Sequence, residues 1–334
     1  MRGPAIVRVL PGQRAVDLRT RVGPVELATP VLTASGTSGH GAELARYIDL
    51  AGLGAVTVKS VSAGPWDGNP SPRLHPTAAG MLNSVGLENP GMAAWLSAQL
   101  PALAATGAKV VASIWGFTVA DFGEAAAILA RAVVEARLGG GAAQAIVAVE
   151  ANISCPNIED SRHMFAHGEE SAAAAIAAVT GGLEPCGLPL WAKLSPNVTD
   201  LPAIAGAVLE AGAGGLTLVN TLMGLALDPV TGRAVLGGGG GGVSGPALHP
   251  VAVRAVFECR RSHPRTPIVG VGGVTTGADA AEVLVAGADA VAVGTATFAD
   301  PRAAARVSRE LAAWCRHHDV RHIRDLVGRA HDDR

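Results

Sequence analysis

A repeated alternation constrains the fold of this 334-residue chain most: a short apolar run rich in β-branched residues, then a longer segment with helical spacing, eight times over. The runs fall at residues 30–33, 55–58, 109–114, 145–153, 190–194, 215–219, 267–271 and 290–293. The helical segments fall at 41–51, 92–106, 119–138, 169–180, 201–211, 247–261, 278–286 and 301–315. Runs so short and so uniformly apolar suit strands buried on both faces, as in a parallel sheet covered by helices. Eight units predict an α/β fold, a (β/α)8 barrel, occupying residues 1–334 as one domain. An open eight-stranded sheet is the competing architecture. Against it, polar or glycine residues follow nearly every run: Ala34-Ser35-Gly36, Lys59-Ser60, Ser113, Asn152 to Asn157, Lys193-Leu194-Ser195, Asn220-Thr221, Gly272-Gly273 and Gly294-Thr295. In a barrel all of these would open on one face, where active sites are built. Two short strands around Gly23-Pro24 predict a hairpin that closes the opposite end.

Composition removes several classes of function. With 16% charged residues, a formal net charge of -2 and 3% aromatics, the chain offers neither a polyanion-seeking surface nor a stacking platform, so no nucleic-acid partner is expected. No run approaches the length of a membrane span, and the first residues lack a long apolar core followed by a small-residue cleavage site, which predicts no membrane association and a cytoplasmic protein. Cys155, Cys186, Cys259 and Cys315 are scattered without CxxC pairing, so no metal or iron-sulfur site and no disulfide framework is expected.

The chemistry concentrates at the ends of the runs. In AIVAVEANISCPN, residues 145–157, a buried strand gives way at Pro156 to a loop holding a thiol between carboxamides. Read alone, this is either a buried structural cysteine among turn-forming asparagines or a reactive group at a barrel mouth. Only three of the 26 basic residues are lysines, and two of them, Lys59 and Lys193, end predicted strands. Such a lysine needs a negative partner: an internal carboxylate such as Glu150, or a cofactor or substrate anion. Four of the seven asparagines, Asn83, Asn152, Asn157 and Asn220, fall in loops on the predicted active face, where carboxamides suit a ligand with imide or carboxylate edges. Glycine clusters after the last strands, with Ser244-Gly245-Pro246 opening a helix, suit a phosphate. The six glycines 237–242 read as a flexible lid or linker.

Taken together, AsnIleSerCysProAsn, LysLeuSerProAsnValThrAsp, AsnSerValGlyLeuGluAsnProGly, AsnThrLeu with SerGlyPro downstream, and ValGlyThrAla resemble the class 1 dihydroorotate dehydrogenases, over residues 27–327 and in order. The resemblance is closest to the 1B subgroup, whose catalytic subunit works with an iron-sulfur/FAD subunit that passes electrons to NAD. It implies a TIM barrel with active-site insertions, FMN as cofactor, dihydroorotate as substrate and orotate as product in pyrimidine biosynthesis, and a homodimeric core.

Carried over residue by residue, the resemblance implies FMN held by Ser35, Lys59, Ser60, Ser113, Asn152, Lys193, Val219, Gly245, Gly272, Gly273, Gly294 and Thr295. It implies substrate held by Lys59, Asn83, Ser84, Val85, Gly86, Leu87, Asn152, Asn157, Asn220 and Thr221, with Cys155 as the base and residues 158–168 as a lid. Ser113 stands where the family usually has an asparagine, Ser60 replaces a common glycine, Trp115 is bulky for its position, and the lid carries SerArgHisMetPheAlaHis. These departures keep a second reading open, a related FMN oxidoreductase acting on another dihydropyrimidine or cyclic amide. A flavin-binding scaffold subunit and a flavin-free sugar-phosphate barrel are the remaining alternatives. No GxGxxG opens a βαβ unit, so NAD would have to be met by a partner chain.

Overall fold

The computed structural model describes residues 15–154 and 164–332. Cys155, Asn157 and most of the expected lid, 158–163, lie outside the described residues. In chain order the strands are β1 (Thr20–Val22), β2 (Val25–Leu27), β3 (Val31–Thr33), β4 (Val56–Thr57), β5 (Leu74–Thr77), β6 (Gly80–Asn83), β7 (Val110–Ile114), β8 (Ile146–Asn152), β9 (Leu190–Leu194), β10 (Gly215–Leu218), β11 (Leu222–Gly224), β12 (Gly241–Ser244), β13 (Ile268–Val271) and β14 (Ala290–Val293). Eight of them form one parallel sheet in the order β3-β14-β13-β10-β9-β8-β7-β4. The remaining seam closes between β3 and β4, where Gly54 N–H donates to the Val31 carbonyl at 2.8 Å and Thr57 N–H to the Thr33 hydroxyl at 3.0 Å. The result is the expected barrel.

Its strands are almost wholly buried because helices cover their outer faces. Val149, Ala151, Ala192 and Leu216 belong to the large cluster between strands and helices, with Phe122, Leu129, Ile176 and Val208 from the helical layer. Burial of such aliphatic and aromatic side chains is what favours the closed arrangement, at roughly 1.5–3 kcal/mol each. Two helices begin on capping boxes, Thr118 with Asp121 before Val119–Gly139 and Thr276 with Asp279 before Gly277–Ala286. Each box satisfies orphan N–H groups and puts a carboxylate at the positive end of the helix dipole.

The hairpin β1–β2 closes the lower end, as its sequence implied. Val22, Val25 and Leu27 pack with Leu32, Val111, Trp191 and Val269 in a second apolar cluster inside the barrel.

Two segments differ from expectation. Residues 41–51 do not make one helix but two short 3-10 turns, Glu43–Arg46 and Leu50–Gly52. The Asp49 carboxylate takes the N–H of Ala51 at 3.1 Å, a local bond that competes with continuing the helix. The segment 92–106 is helical, but its middle, Trp95–Gln99, widens to π register ahead of Pro101, which brings no N–H to the ladder.

The larger surprise is an antiparallel sheet above the barrel, ordered β11-β12-β6-β5, built from the insertions after β4 and β10. The six glycines run straight into it. Gly241 and Gly242 pair with β11 on one side, and Gly242 with β6 on the other. A Cβ on Gly242 would strike the Thr221 side chain, and one on Gly241 the Asn83 carbonyl. The run is therefore a packed part of the insertion sheet and not a loose lid; at Gly237, Gly238, Gly241 and Gly242 the neighbouring chain leaves no room for a side chain, while Gly239 has open space and a φ of 80°. Among the described residues, no helix is long and apolar enough to cross a membrane.

Candidate active site

Inside the barrel, side chains two residues apart along a strand point the same way, and this period sets the floor of the site. Val111, Ala148 and Trp191 belong to the lower apolar cluster. Two residues further up, the same faces present Ser113, Glu150 and Lys193, all buried. One more step on β8 brings Asn152, paired in register with Lys193.

These groups form a directed hydrogen-bond chain. Thr221 N–H donates to Asn220 Oδ1 at 2.9 Å, and Asn220 Nδ2 donates to Asn152 Oδ1 at 3.1 Å. Asn152 Nδ2 then donates to the Ser60 hydroxyl at 3.1 Å, Ser60 and Ser113 hydroxyls meet at 2.8 Å, and Ser113 donates to Glu150 Oε1 at 3.1 Å. One end is a backbone N–H, which can only donate, and the other is Glu150 Oε1, which accepts from the Ser113 hydroxyl. The amide orientations of Asn152 and Asn220 follow from those two ends. Lys193 Nζ stands 3.6 Å from Glu150 Oε1, with both side chains at most 6% exposed. The internal carboxylate partner considered for this lysine is thus present, and the lysine also lines the cavity above.

That cavity, about 310 Å³, opens at the C-terminal ends of the strands. Its wall includes Ser35, Lys59, Ser60, Asn83, Ser84, Val85, Gly86, Leu87, Asn152, Lys193, Val219, Asn220, Thr221, Gly245, Gly272, Gly273, Gly294 and Thr295. Among the site residues expected from sequence, Ser113 lies behind the lining rather than in it, 1% exposed and committed to the carboxylate. Asn83 lines the cavity while its amide donates to the Gly242 carbonyl at 3.0 Å, so it also holds β6 to β12.

Lys59 lies on the other side of the mouth, 3.9 Å from Glu88 Oε2, which also takes Arg73 Nη1 at 2.5 Å. Burial holds the Lys59 ammonium below its ordinary pKa, with Glu88 opposing the shift and Arg73 adding to it. The neighbouring His40 is pushed down to about 4, chiefly by burial and then by the Lys59 charge.

At the far end, Gly245, Gly272 and Gly273 all have positive φ, at 96°, 145° and 65°. A Cβ on Gly273 would fall 2.6 Å from the His249 Cβ and 2.9 Å from the Gly245 carbonyl. Gly272 continues the ladder beside Ala292, whereas outside the strand ladders the N–H groups of Gly273, Gly294 and Thr295 donate to no backbone carbonyl among the described residues. Thr295 Oγ1 donates to Ser244 Oγ at 2.7 Å, which ties this end to the insertion sheet. A concave run of free N–H donors is a site for an anion.

Sequence reasoning missed Asn69, whose amide donates to the Ser84 hydroxyl at 2.9 Å in the cavity wall, and Asn197, whose amide donates to the Thr221 carbonyl at 2.9 Å and whose Oδ1 takes Met223 N–H at 2.8 Å. Asn69 precedes a proline, a turn signal, but nothing local says that the turn folds over the mouth. Of the expected lid, the last part is described: Phe165 is buried and packs edge-on against Phe122 with centroids 5.4 Å apart, which anchors that end to the helix Val119–Gly139.

Comparison with known proteins agrees on the family, while the relatives' names divide between types. The family model described as dihydroorotate dehydrogenase matches residues 17–314. The chain is 46% identical to the dihydroorotate dehydrogenase B (NAD(+)) catalytic subunit of Desulforudis audaxviator, over 91% of this chain and 94% of that protein. It is 40% identical to the protein of the same name from Geobacter sp. strain M21, over 93% of this chain and 97% of the relative. The chain is also 42% identical to the putative dihydroorotate dehydrogenase A (fumarate) of Solibacter usitatus, over 93% of this chain and 98% of that protein.

Proposed function

This chain belongs to the dihydroorotate dehydrogenase family, and from that premise we propose that the cavity at its barrel mouth oxidises (S)-dihydroorotate to orotate with FMN, in pyrimidine biosynthesis. The observation that carries the assignment of residues is that two lysines, the Asn152–Asn220 amide pair and the glycine ends of the last strands all line one cavity.

The residues suit FMN by the chemistry of their donors. The N–H groups of Gly273, Gly294 and Thr295 would take the phosphate beside Gly272, since a phosphate needs several donors converging without side chains in the way. Ser35, Ser60, Asn152, Val219 and Lys193 would border the ring. When bound, FMN supplies the acceptor for the hydride that leaves C6 of the substrate. Lys193 would stabilise the negative charge that reduction brings to the ring edge nearest it. Lys59 and the 83–87 loop would hold the substrate carboxylate, with Asn152, Asn157, Asn220 and Thr221 on the ring amides. Cys155, as thiolate, would remove the C5 proton, so that loss of a proton and a hydride leaves the C5=C6 bond of orotate.

The purified protein should be yellow and should bleach under anaerobic conditions on addition of dihydroorotate. A flavin that stays oxidised with dihydroorotate but bleaches with dihydrouracil would move the substrate to another dihydropyrimidine. Two of these relatives are named as catalytic subunits of an NAD(+) enzyme, which supports a partner chain carrying an iron-sulfur cluster and FAD to deliver electrons to NAD. Reoxidation of the bleached protein by NAD only when that partner is added would support it; direct reoxidation by fumarate would exclude it.

A further inference from the structure

We propose that Glu150 is a positioning residue that sets how readily the bound flavin is reduced, by placing a fixed negative charge against Lys193 from beneath the site. The proposal rests on the reading of Lys193 as a flavin neighbour given above.

Glu150 does not line the cavity; it is 3% exposed and sits one layer below it on β8. A buried carboxylate survives there only with partners, and it has two of different kinds. Lys193 Nζ is 3.6 Å from its Oε1, and the Ser113 hydroxyl donates to the same oxygen at 3.1 Å. Ser113 also accepts the Ser35 hydroxyl at 3.2 Å, so it passes its own hydrogen downward to the carboxylate. Every donor in the chain from Thr221 through Asn220, Asn152 and Ser60 points the same way. The charge is thereby held in place and its pairing with Lys193 maintained.

The consequence is electrostatic. Lys193 faces the cavity on one side and Glu150 on the other, so the cavity meets a partly neutralised cation. Accepting a hydride makes the ring one unit more negative, and a full positive charge would favour that state more than a half-compensated one. Glu150 therefore holds the reduced flavin less tightly than a bare lysine would, which favours passing electrons onward.

Glu150→Gln isolates this effect. The glutamine carbonyl still accepts from Ser113, so the direction of the hydrogen-bond chain persists while the charge goes. The midpoint potential of protein-bound FMN is measured by dithionite titration against a reference dye at saturating FMN, so the reading does not depend on turnover. The expected result is a rise corresponding to about a tenfold shift of the oxidised/reduced equilibrium toward reduced flavin, or about 30 mV for a two-electron couple. In a Lys193→Met background the same substitution should shift the equilibrium by less than about threefold.

A Glu150→Gln protein that binds FMN with its potential unchanged, or lowered, overturns the proposal. If that variant does not fold, Glu150→Met, of similar volume, takes its place; loss of flavin from both at saturating FMN would overturn it too, since Glu150 would then be needed to retain the cofactor. A wild-type flavin that binds normally but is not bleached by dihydroorotate would sink the substrate assignment and leave the Glu150 measurement intact. A wild-type protein that binds no FMN would sink both.

Discussion

Two layers inside the same barrel, two residues apart on the same strands, have opposite chemistry. The lower one sets Val111, Ala148 and Trp191 against the hairpin side chains Val22 and Leu27. There, even the Trp191 indole N–H has no hydrogen-bond partner among the described residues, so apolar packing outweighs one polar group. The layer above sets Ser113, Glu150 and Lys193 in a network in which one Glu150 oxygen accepts from the Ser113 hydroxyl and stands 3.6 Å from the Lys193 ammonium. The spacing between them is about 7 Å along the strand. The lower layer closes the barrel with closely packed apolar side chains, and the upper one stands on it. Stability and chemistry are thus separated by height within one scaffold.

Substitutions at the two levels should separate accordingly. The largest effect is expected from the proposed base: Cys155→Ala should lower the rate of flavin reduction by dihydroorotate about 10²–10⁴-fold, the usual contribution of a general base, with little change in melting temperature. Stopped-flow reduction measures it, and near-normal reduction would remove the thiol as base. At the lower end, Leu27→Ala, in the hairpin and 2% exposed, should cost about 2–5 kcal/mol in denaturant unfolding while leaving the flavin spectrum and potential in place. A shift in potential from that substitution would mean that the two levels are not independent.

A smaller effect is expected at the phosphate end. Gly273→Ala puts a side chain on a residue with φ of 65° and against His249, and should weaken FMN binding about tenfold by fluorescence titration. Undiminished affinity would place the phosphate elsewhere.

The smallest concerns acid. His40 has its folded pKa depressed to about 4, below its ordinary 6.5. The unfolded chain therefore binds the proton more readily, and the stability tied to neutral His40 is present above about 6.5 and is lost as pH falls toward 4. His40→Gln should flatten the melting temperature across that window by a degree or two. An unchanged slope would assign the acid sensitivity to other groups.

Much of this was legible in the sequence for identifiable reasons. β9 and β14 fall on residues 190–194 and 290–293 as read, because their apolar runs are bounded by glycine, proline or polar residues on both sides. Lys59, Lys193 and the glycines after the last strands were readable as residues of the barrel mouth, and they line the cavity there, because each ends such a run. The insertion sheet was not, since β5 and β6 contain Pro76, Gly80 and Asn83 and show little alternation, and β12 is half glycine. The two halves of that sheet meet at β6 and β12, which lie more than 150 residues apart in the chain, as with Asn83 and Gly242. Nothing local distinguishes a glycine that frees the backbone from one that admits a neighbour.

What the sequence determined by itself is therefore the periodic part: eight buried strands, the helices that cover them, and which residues stand at the strand ends, because a repeating pattern of burial is written in consecutive residues. Only the tertiary structure decided that Glu150 meets Lys193, that Ser113 faces a carboxylate and not the cavity, and that the six glycines pack into the insertion sheet. Those outcomes depend on register between neighbouring strands and on close approach of distant segments, and a shift of one residue would turn each of those side chains to the other face.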